Sequence, residues 1–361
     1  MRNRKTSVVL GALALVLAGC GSNNEEALGE LAPTPSSLPP VWSMTGLPGP
    51  ADAALKPVMV VKIENSTPAR PQTGLEAADT VFEEVVEAGI TRFAAVYQSQ
   101  MPEDIGPVRS IRHVDAAIAS PIADIFVFSG GAGKTMNFVE EKLPSNISVI
   151  TEGGVGMRRI TQRPAPHNVY FKPADVLAGL AQTNTPTTGF FVRPSTLGTS
   201  VVASADPSAS SSASSSAMAL RKASVIDVHF SNIENPSWKY DATKNTYARF
   251  EKSTPFVNPE KEQLSVDYLV AIFCETMDAG YKDPGGNPVP RSVITGEGTG
   301  YVFANGTMQH ITWTKEHVRD QMALFDDAGN PYELPTGRSW VSVLPRDGIT
   351  KLSADLVQLP L

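Results

Sequence analysis

The chain has 361 residues, of which 42% are hydrophobic and 19% charged, a balance and length that can bury the cores of two ordinary domains. Its formal net charge is −7, and the extreme N-terminus is itself basic, so the rest is more acidic still. That excludes nucleic acid as the main partner and a polybasic membrane-binding surface.

Residues 2–5 (RNRK) carry three positive charges. The apolar stretch that follows is too short to span a membrane stably and ends in Leu17-Ala18-Gly19-Cys20. Residues 1–19 therefore read as a signal peptide. The LAGC end resembles the lipobox of bacterial lipoproteins, which implies that Cys20 is lipidated and becomes the new N-terminus. The mature chain is then expected on the extracytoplasmic face of the cell membrane, held there by the lipid. Residues 20–55, with PTPSSLPP at 33–40, read as the lipidated cysteine and a flexible tether. With Cys20 lipidated, Cys274 stands alone, so no intrachain disulfide is expected. Its setting, YLVAIFCETM, is that of a buried strand residue.

The block 56–200 mixes strands and helices. PVMVVKIEN predicts a strand. TGLEAAD predicts a short helix, with Thr73 and Glu76 spaced as a capping box. TVFEEVVE and ITRFAAVYQS predict a hairpin turning at Ala88-Gly89. In that register Val85 faces Arg92, Arg92 shares a face with Glu83 and Glu87, and Glu84 points to the other face. A Glu87–Arg92 structural ion pair is expected, and Glu83 or Glu84 is a candidate acid or base. GPVRSIRHVDAAIAS predicts a helix with Pro107 near its first turn. Arg109, Arg112 and His113 then stand on one helix face, with Ser110 in the first turn. Guanidinium groups beside free backbone N–H groups suit an anion. The opposing reading is a solvated basic face or pairing with the glutamates.

IFVFSGGAGKT at 125–135 looks like a strand entering a phosphate loop. The first glycine of G-x-x-x-x-G-K-[ST] should stand at 128, and Phe128 is there instead. The stretch reads as a Gly-rich turn into a helix over 136–143, and no nucleotide is expected. MRRITQRPAPHN then brings Arg158, Arg163 and His167 into a proline-stiffened loop. His167 is a candidate base or a plain loop hydrogen-bonder. A Ser110–His167–Asp triad lacks a nucleophile-elbow sequence. Five scattered histidines without HxH or HExxH spacing give no metal site, and no cofactor is expected.

The Ser/Ala-rich run at 201–220 reads as a linker, and the block 221–361 is strand-dominated. SVIDVHFS, YARFE, YLVAIFCET and SWVSVLP predict short strands. Asn305-Gly306 predicts a tight hairpin, and FDDAGNPYEL another. Gly296, Gly298 and Gly300 alternate, which suits strand crowding or a bulge. Trp313 and Lys315 share a strand face, as hairpin packing or as an aromatic–cationic surface. The expected fold is α+β: an N-terminal mixed α/β sheet domain with packed helices, then a smaller β-rich C-terminal domain.

With LAGC and the tether, the stretches ARPQTGLEAADTVFEEVVEAGITRFAAVYQS, IGPVRSIRH, RPAPHN, GTGYVFANG, TWTK and GRSWVSVLP resemble, in this order, the YerB-like lipoproteins, a two-domain family of unknown function. The resemblance implies a membrane-anchored envelope protein and supplies no catalytic residues. Three functions stay open. One is a binder of an anionic cell-wall polyanion, glycan or envelope protein through Arg109, Arg112, Arg158 and Arg163. Another is an envelope enzyme acting on a phosphate or glycan bond, with Glu83 or Glu84 and His113 or His167 as acid and base. The third is a structural protein whose charges pair internally.

Overall fold

A computed structural model describes residues 39–179, 186–193 and 221–346, and the backbone of 352–353. The signal peptide, Cys20, the tether up to residue 38 and the 201–220 linker lie outside the described residues. Residues 39–55, read above as tether, pack instead on the body. Met44 and Ala53 are buried, and the Met44 amide donates to Gln98 Oε1 at 3.3 Å.

The first block contributes β1 Met59–Glu64, β2 Thr80–Val85, β3 Thr91–Tyr97, β4 Ile125–Val127, β5 Ser148–Ile150, β6 Met157–Arg159 and β7 Val169–Phe171. Its helices are α1 Val114–Ala119, α2 Gly133–Lys142 and α3 Pro173–Leu177. The second block contributes β8 Arg221–Lys222, β9 Val225–Val228, β10 Pro236–Asp241, β11 Thr246–Glu251, β12 Thr254–Pro255 and β13 Ser265–Val266. It continues with β14 Tyr268–Lys282, β15 Pro288–Val293, β16 Gly296–Ala304, β17 Thr307–Lys315, β18 Ala323–Phe325, β19 Ser339–Pro345 and β20 Leu352–Ser353.

Both blocks feed one twelve-stranded mixed sheet, ordered β18-β17-β16-β14-β19-β2-β3-β1-β4-β5, with β15 on β14 and β8 on β17. The joint is β19, which runs parallel to β14 on one side and to β2 on the other. A second sheet of six strands, β12-β11-β10-β9-β20 with β13 on β11, comes from the second block.

Alternation along each strand builds two cores, because successive side chains point to opposite faces. Val60, Phe82, Ala94 and Val341 face α1 and α2, where Val114, Ile118 and Val139 meet them. Val61, Val81, Phe93 and Trp340 face the second sheet, where Ile226, Trp238 and Tyr247 meet them. At about 25 cal/mol per Å² of apolar surface, these two layers are the main stabilising term. The fold is thus α+β with a mixed sheet.

Local chemistry explains where the sequence reading departs from this. The β2–β3 hairpin pairs Glu84 with Arg92 and Val85 with Thr91, one residue away from the expected register. Ala88 and Gly89 are both left-handed, with φ of 58° and 73°, and the Val86 amide closes on Ile90 O. That wider turn moves Arg92 onto the face of Glu84 and away from Glu83, since a one-residue slip flips every side chain. TGLEAAD forms only a single 3₁₀ turn, Leu75–Ala77, because left-handed Gly74 is its N-cap and Thr73 is bridged to Gly106.

The expected helix from Pro107 starts only at Val114. Upstream, the amides of Val108, Arg109 and Ile111 donate to Val169 O, Lys62 O and Gly130 O. These donors are taken across the chain, so no helical ladder forms there. Arg109, Arg112 and His113 therefore do not share a helix face. The helix after SGGAG runs Gly133–Lys142, and Phe128 is buried against Phe126.

In the second block, Asn305-Gly306 makes a two-residue turn between Ala304 and Thr307, both residues left-handed. FDDAGNPYEL turns around Asp326, whose carboxylate accepts from Ala328 and Asn330. A Cβ on Gly298 would stand 2.5 Å from the Trp313 ring, and one on Gly300 2.3 Å from Ala271 O. Crowding therefore accounts for Gly298 and Gly300, and a left-handed φ of 96° for Gly296. Trp313 and Lys315 are both buried, so they form no exposed surface.

Candidate functional site

Consecutive residues of β2 put two fully buried carboxylates on opposite faces of the sheet. Glu83 points toward the second sheet. Arg249 binds it through two nitrogens, at 2.6 and 3.0 Å, and Trp340 Nε1 and Thr91 Oγ1 donate at 2.9 and 2.8 Å. The Arg249 guanidinium lies among the rings of Trp340, Phe256, Phe93 and Trp238, 4.5 to 5.5 Å from their centroids. Its remaining charge goes to Glu251 at 2.7 Å. Nearby, burial and the Glu251 charge push Glu234 up to about 8, although Arg70 sits 2.5 Å away.

Glu84 points toward α1. Lys62, also fully buried, bonds both Glu84 and Asp115 Oδ1, the latter at 2.8 Å. Burial and the Asp115 charge raise Glu84 to about 7, against the pull of Lys62. Beside it, Glu87 accepts from Arg92 at 2.9 Å and from Arg112 Nε at 2.9 Å. Burial would raise the Glu87 carboxyl, but these two arginines hold it at about 2. The same Asp115 that pairs with Lys62 accepts the Arg112 amide at 2.6 Å and so fixes the start of α1. Three cations and three carboxylates thus neutralise one another in this interior network, and Glu84 and Arg112 are part of it. Glu83 and Glu84 therefore share no pocket with His167.

A different carboxylate meets the surface. Glu64 ends β1, in register with Arg92 on β3, and is buried to 1% exposure. Its Oε1 accepts from Ser66 Oγ at 2.7 Å and from His167 Nδ1 at 2.9 Å, with Arg109 Nε 3.4 Å away as an ionic neighbour that makes no hydrogen bond, and among the described residues Oε2 has no partner. The side chains of His167 and Arg109 are 19% and 24% exposed.

The backbone explains the meeting. Residues 107–111 run across the carboxyl ends of β1 and β4, which are parallel neighbours. Arg109 donates its amide to Lys62 O and accepts the Ser129 amide. The crevice outside the carboxyl ends of parallel strands is where α/β sheets hold ligands. The RPAPHN loop reaches the same place, because Arg163 donates to Pro68 O at 3.0 Å and Pro71 O at 2.6 Å.

Of the residues singled out from sequence, Arg109 and His167 meet at Glu64, and Arg163 ties the His167 loop to Pro68 and Pro71. Ser110 gives its carbonyl to Arg92. His113 is buried against Phe138, its pKa lowered by burial and by Arg291, and among the described residues its Nδ1 has no partner. Arg158 pairs with Asp104 at 2.6 Å on the β6–β7 ribbon. Glu64 was missed by sequence reasoning. Its signal was a lone carboxylate at the polar end of an apolar strand, followed by Asn-Ser. Among the described residues, one trio, Glu316, His317 and Asp320, has donor atoms within 4.8 Å of one another, all exposed. Cys274 is buried, and burial pushes its thiol up to about 12, which makes it inert.

With Nδ1 donating to Glu64, a neutral His167 ring presents a lone pair at Nε2. Among the described residues, neither Nε2 nor the two terminal nitrogens of Arg109 has a hydrogen-bonding partner. A carboxylate-held imidazole beside an open guanidinium can bind an anion and move a proton.

The fold and this site define an α+β protein whose two sequence segments share a mixed sheet, with a buried carboxylate meeting Arg109 and His167 at the end of β1. The chain belongs to the family described as "Protein of unknown function (DUF3048)": its N-terminal domain matches residues 44–186 and its C-terminal domain residues 226–341. It is 38% identical over 115 residues to the "Putative lipoprotein YerB" of Bacillus subtilis (strain 168), a match spanning 32% of this chain and 34% of that protein. The crystal structure of YerB from Bacillus subtilis superposes with a TM-score of 0.68 at 21% identity, covering 87% of this chain and 99% of that one, and so shares the fold. Among the described residues, no helix is long and apolar enough to cross a membrane.

Proposed function

We propose that this is a lipoprotein, anchored through Cys20 at the extracytoplasmic face of the cell membrane, that binds an anionic component of the cell envelope at Arg109 and His167. The basic leader ending in LAGC and the printed name of the Bacillus subtilis relative support the anchor. The observation that carries the binding reading is Arg109. Its guanidinium lies at the carboxyl ends of β1 and β4, and among the described residues its only ionic partner is Glu64 at 3.4 Å. Arg112, in contrast, is consumed by Glu87 and serves the interior.

The test is a thermal-unfolding series of the full chain in detergent against inorganic phosphate, pyrophosphate and wall-glycan fragments. A saturating anion at a hundred times its Kd stabilises by about 2.7 kcal/mol. The rise is expected to vanish in Arg109→Ala and to persist in Arg158→Ala. A rise that Arg109→Ala leaves unchanged overturns the site. For the anchor, Cys20→Ser is expected to move the protein from the membrane fraction to the soluble one.

A further inference from the structure

We infer that His167 is a general base at this site and that the anion held there is a phosphodiester, which the protein hydrolyses. The inference rests on the anion-binding reading of the same site and adds chemistry to it.

Charge favours the diester. Arg109 is balanced by Glu64, whereas Arg163 in the adjoining loop, among the described residues, bonds only the main-chain carbonyls of Pro68 and Pro71. Two guanidinium groups against one carboxylate leave a single positive charge, which matches the single negative charge of a phosphodiester. A planar guanidinium with two unbonded terminal nitrogens matches its two non-bridging oxygens.

Geometry favours proton transfer. Glu64 is buried and its Oε1 receives Nδ1 of His167 at 2.9 Å, which fixes the ring and leaves Nε2 as acceptor. Ser66 Oγ donates to the same oxygen at 2.7 Å, so its proton goes to Glu64 and not to the imidazole. Ser66 is therefore a positioning residue, and the nucleophile is water.

In the step, a water oxygen forms a bond to phosphorus while one water proton passes to His167 Nε2. The bond from phosphorus to one ester oxygen breaks, and its electron pair leaves with that oxygen. The leaving oxygen takes the proton back from the imidazolium and departs as an alcohol, leaving a phosphomonoester. Arg109 faces the charge that builds on the non-bridging oxygens, and Glu64 stabilises the imidazolium while it exists.

The test uses the full lipidated chain in detergent with bis(p-nitrophenyl) phosphate, with p-nitrophenol release and diester binding measured side by side. Turnover is expected, with the label from H₂¹⁸O entering the phosphomonoester. His167→Asn is expected to lower kcat by about 10²–10⁴-fold with binding retained. Glu64→Gln is expected to lower kcat with KM unchanged, and Arg109→Ala to raise KM. Binding that Arg109→Ala abolishes, with no turnover by the wild type, overturns the hydrolysis and leaves the binding reading intact. No binding of the diester or any other anion overturns both. Turnover that His167→Asn leaves unchanged also overturns the inference.

Discussion

Glu83 and Glu64 are both buried carboxylates of one sheet, and their surroundings are opposites. Glu83 has both oxygens saturated by Arg249, Thr91 and Trp340, all of them interior groups. Glu64 has one crowded oxygen and one bare one, and two of its partners reach solvent. A saturated buried charge holds the fold together. An unsaturated one leaves its neighbours with bonding capacity for something else. Depth alone does not distinguish the two, but the count of satisfied lone pairs does.

The largest effect that can break this comparison lies at Arg249. Arg249→Met leaves Glu83 charged without an ionic partner, and is expected to cost about 3–5 kcal/mol in urea unfolding. A loss below about 1 kcal/mol means that the aromatic cage, not the ion pair, holds the interface between the sheets.

Next comes the pH dependence of the interior. The Glu84 carboxyl titrates at about 7 folded against 4.5 ordinarily. Between those values the folded state binds more protons, so stability falls as pH rises. The fall is expected to be roughly 2–3 kcal/mol and to shrink in Glu84→Gln. Glu234, raised to about 8, leaves a residual slope of the same sign.

Glu64→Gln is expected to change stability by less than about 1 kcal/mol, because its carboxylate is half unsatisfied to begin with. If the variant unfolds as readily as Arg249→Met, the two carboxylates are alike and the distinction fails. Smallest is Arg158→Ala. Its pair with Asp104 is 42% and 30% exposed, and the same denaturation series is expected to move by no more than about 0.5 kcal/mol.

Much of this was legible in the sequence where local chemistry decides. The alternation in PVMVVKIEN and YLVAIFCET gave strands, and Asn305-Gly306 gave its turn. Arg109 and His167 stood out as polar residues in stiff segments. The rest depended on partners far along the chain. Glu84 owes its fate to Lys62, 22 residues earlier, and Glu83 to Arg249, 166 residues later. The helix expected at Pro107 lost its amides to Val169, Lys62 and Gly130, none of them a local competitor. The hairpin register turned on two left-handed residues, of which Ala88 carries no sequence signal for that conformation.

The placement of β19 has a consequence for making the molecule. Its residues, 339–345, fill the slot between β14 and β2 in the middle of the sheet. Until that segment has emerged, both neighbours expose a row of unpaired amides and carbonyls, edges that invite pairing with other chains. Contacts of such sequence separation also form slowly. A chain made N-terminus first therefore cannot finish its first half before its last strand has arrived, and neither half is a self-sufficient fragment to express alone.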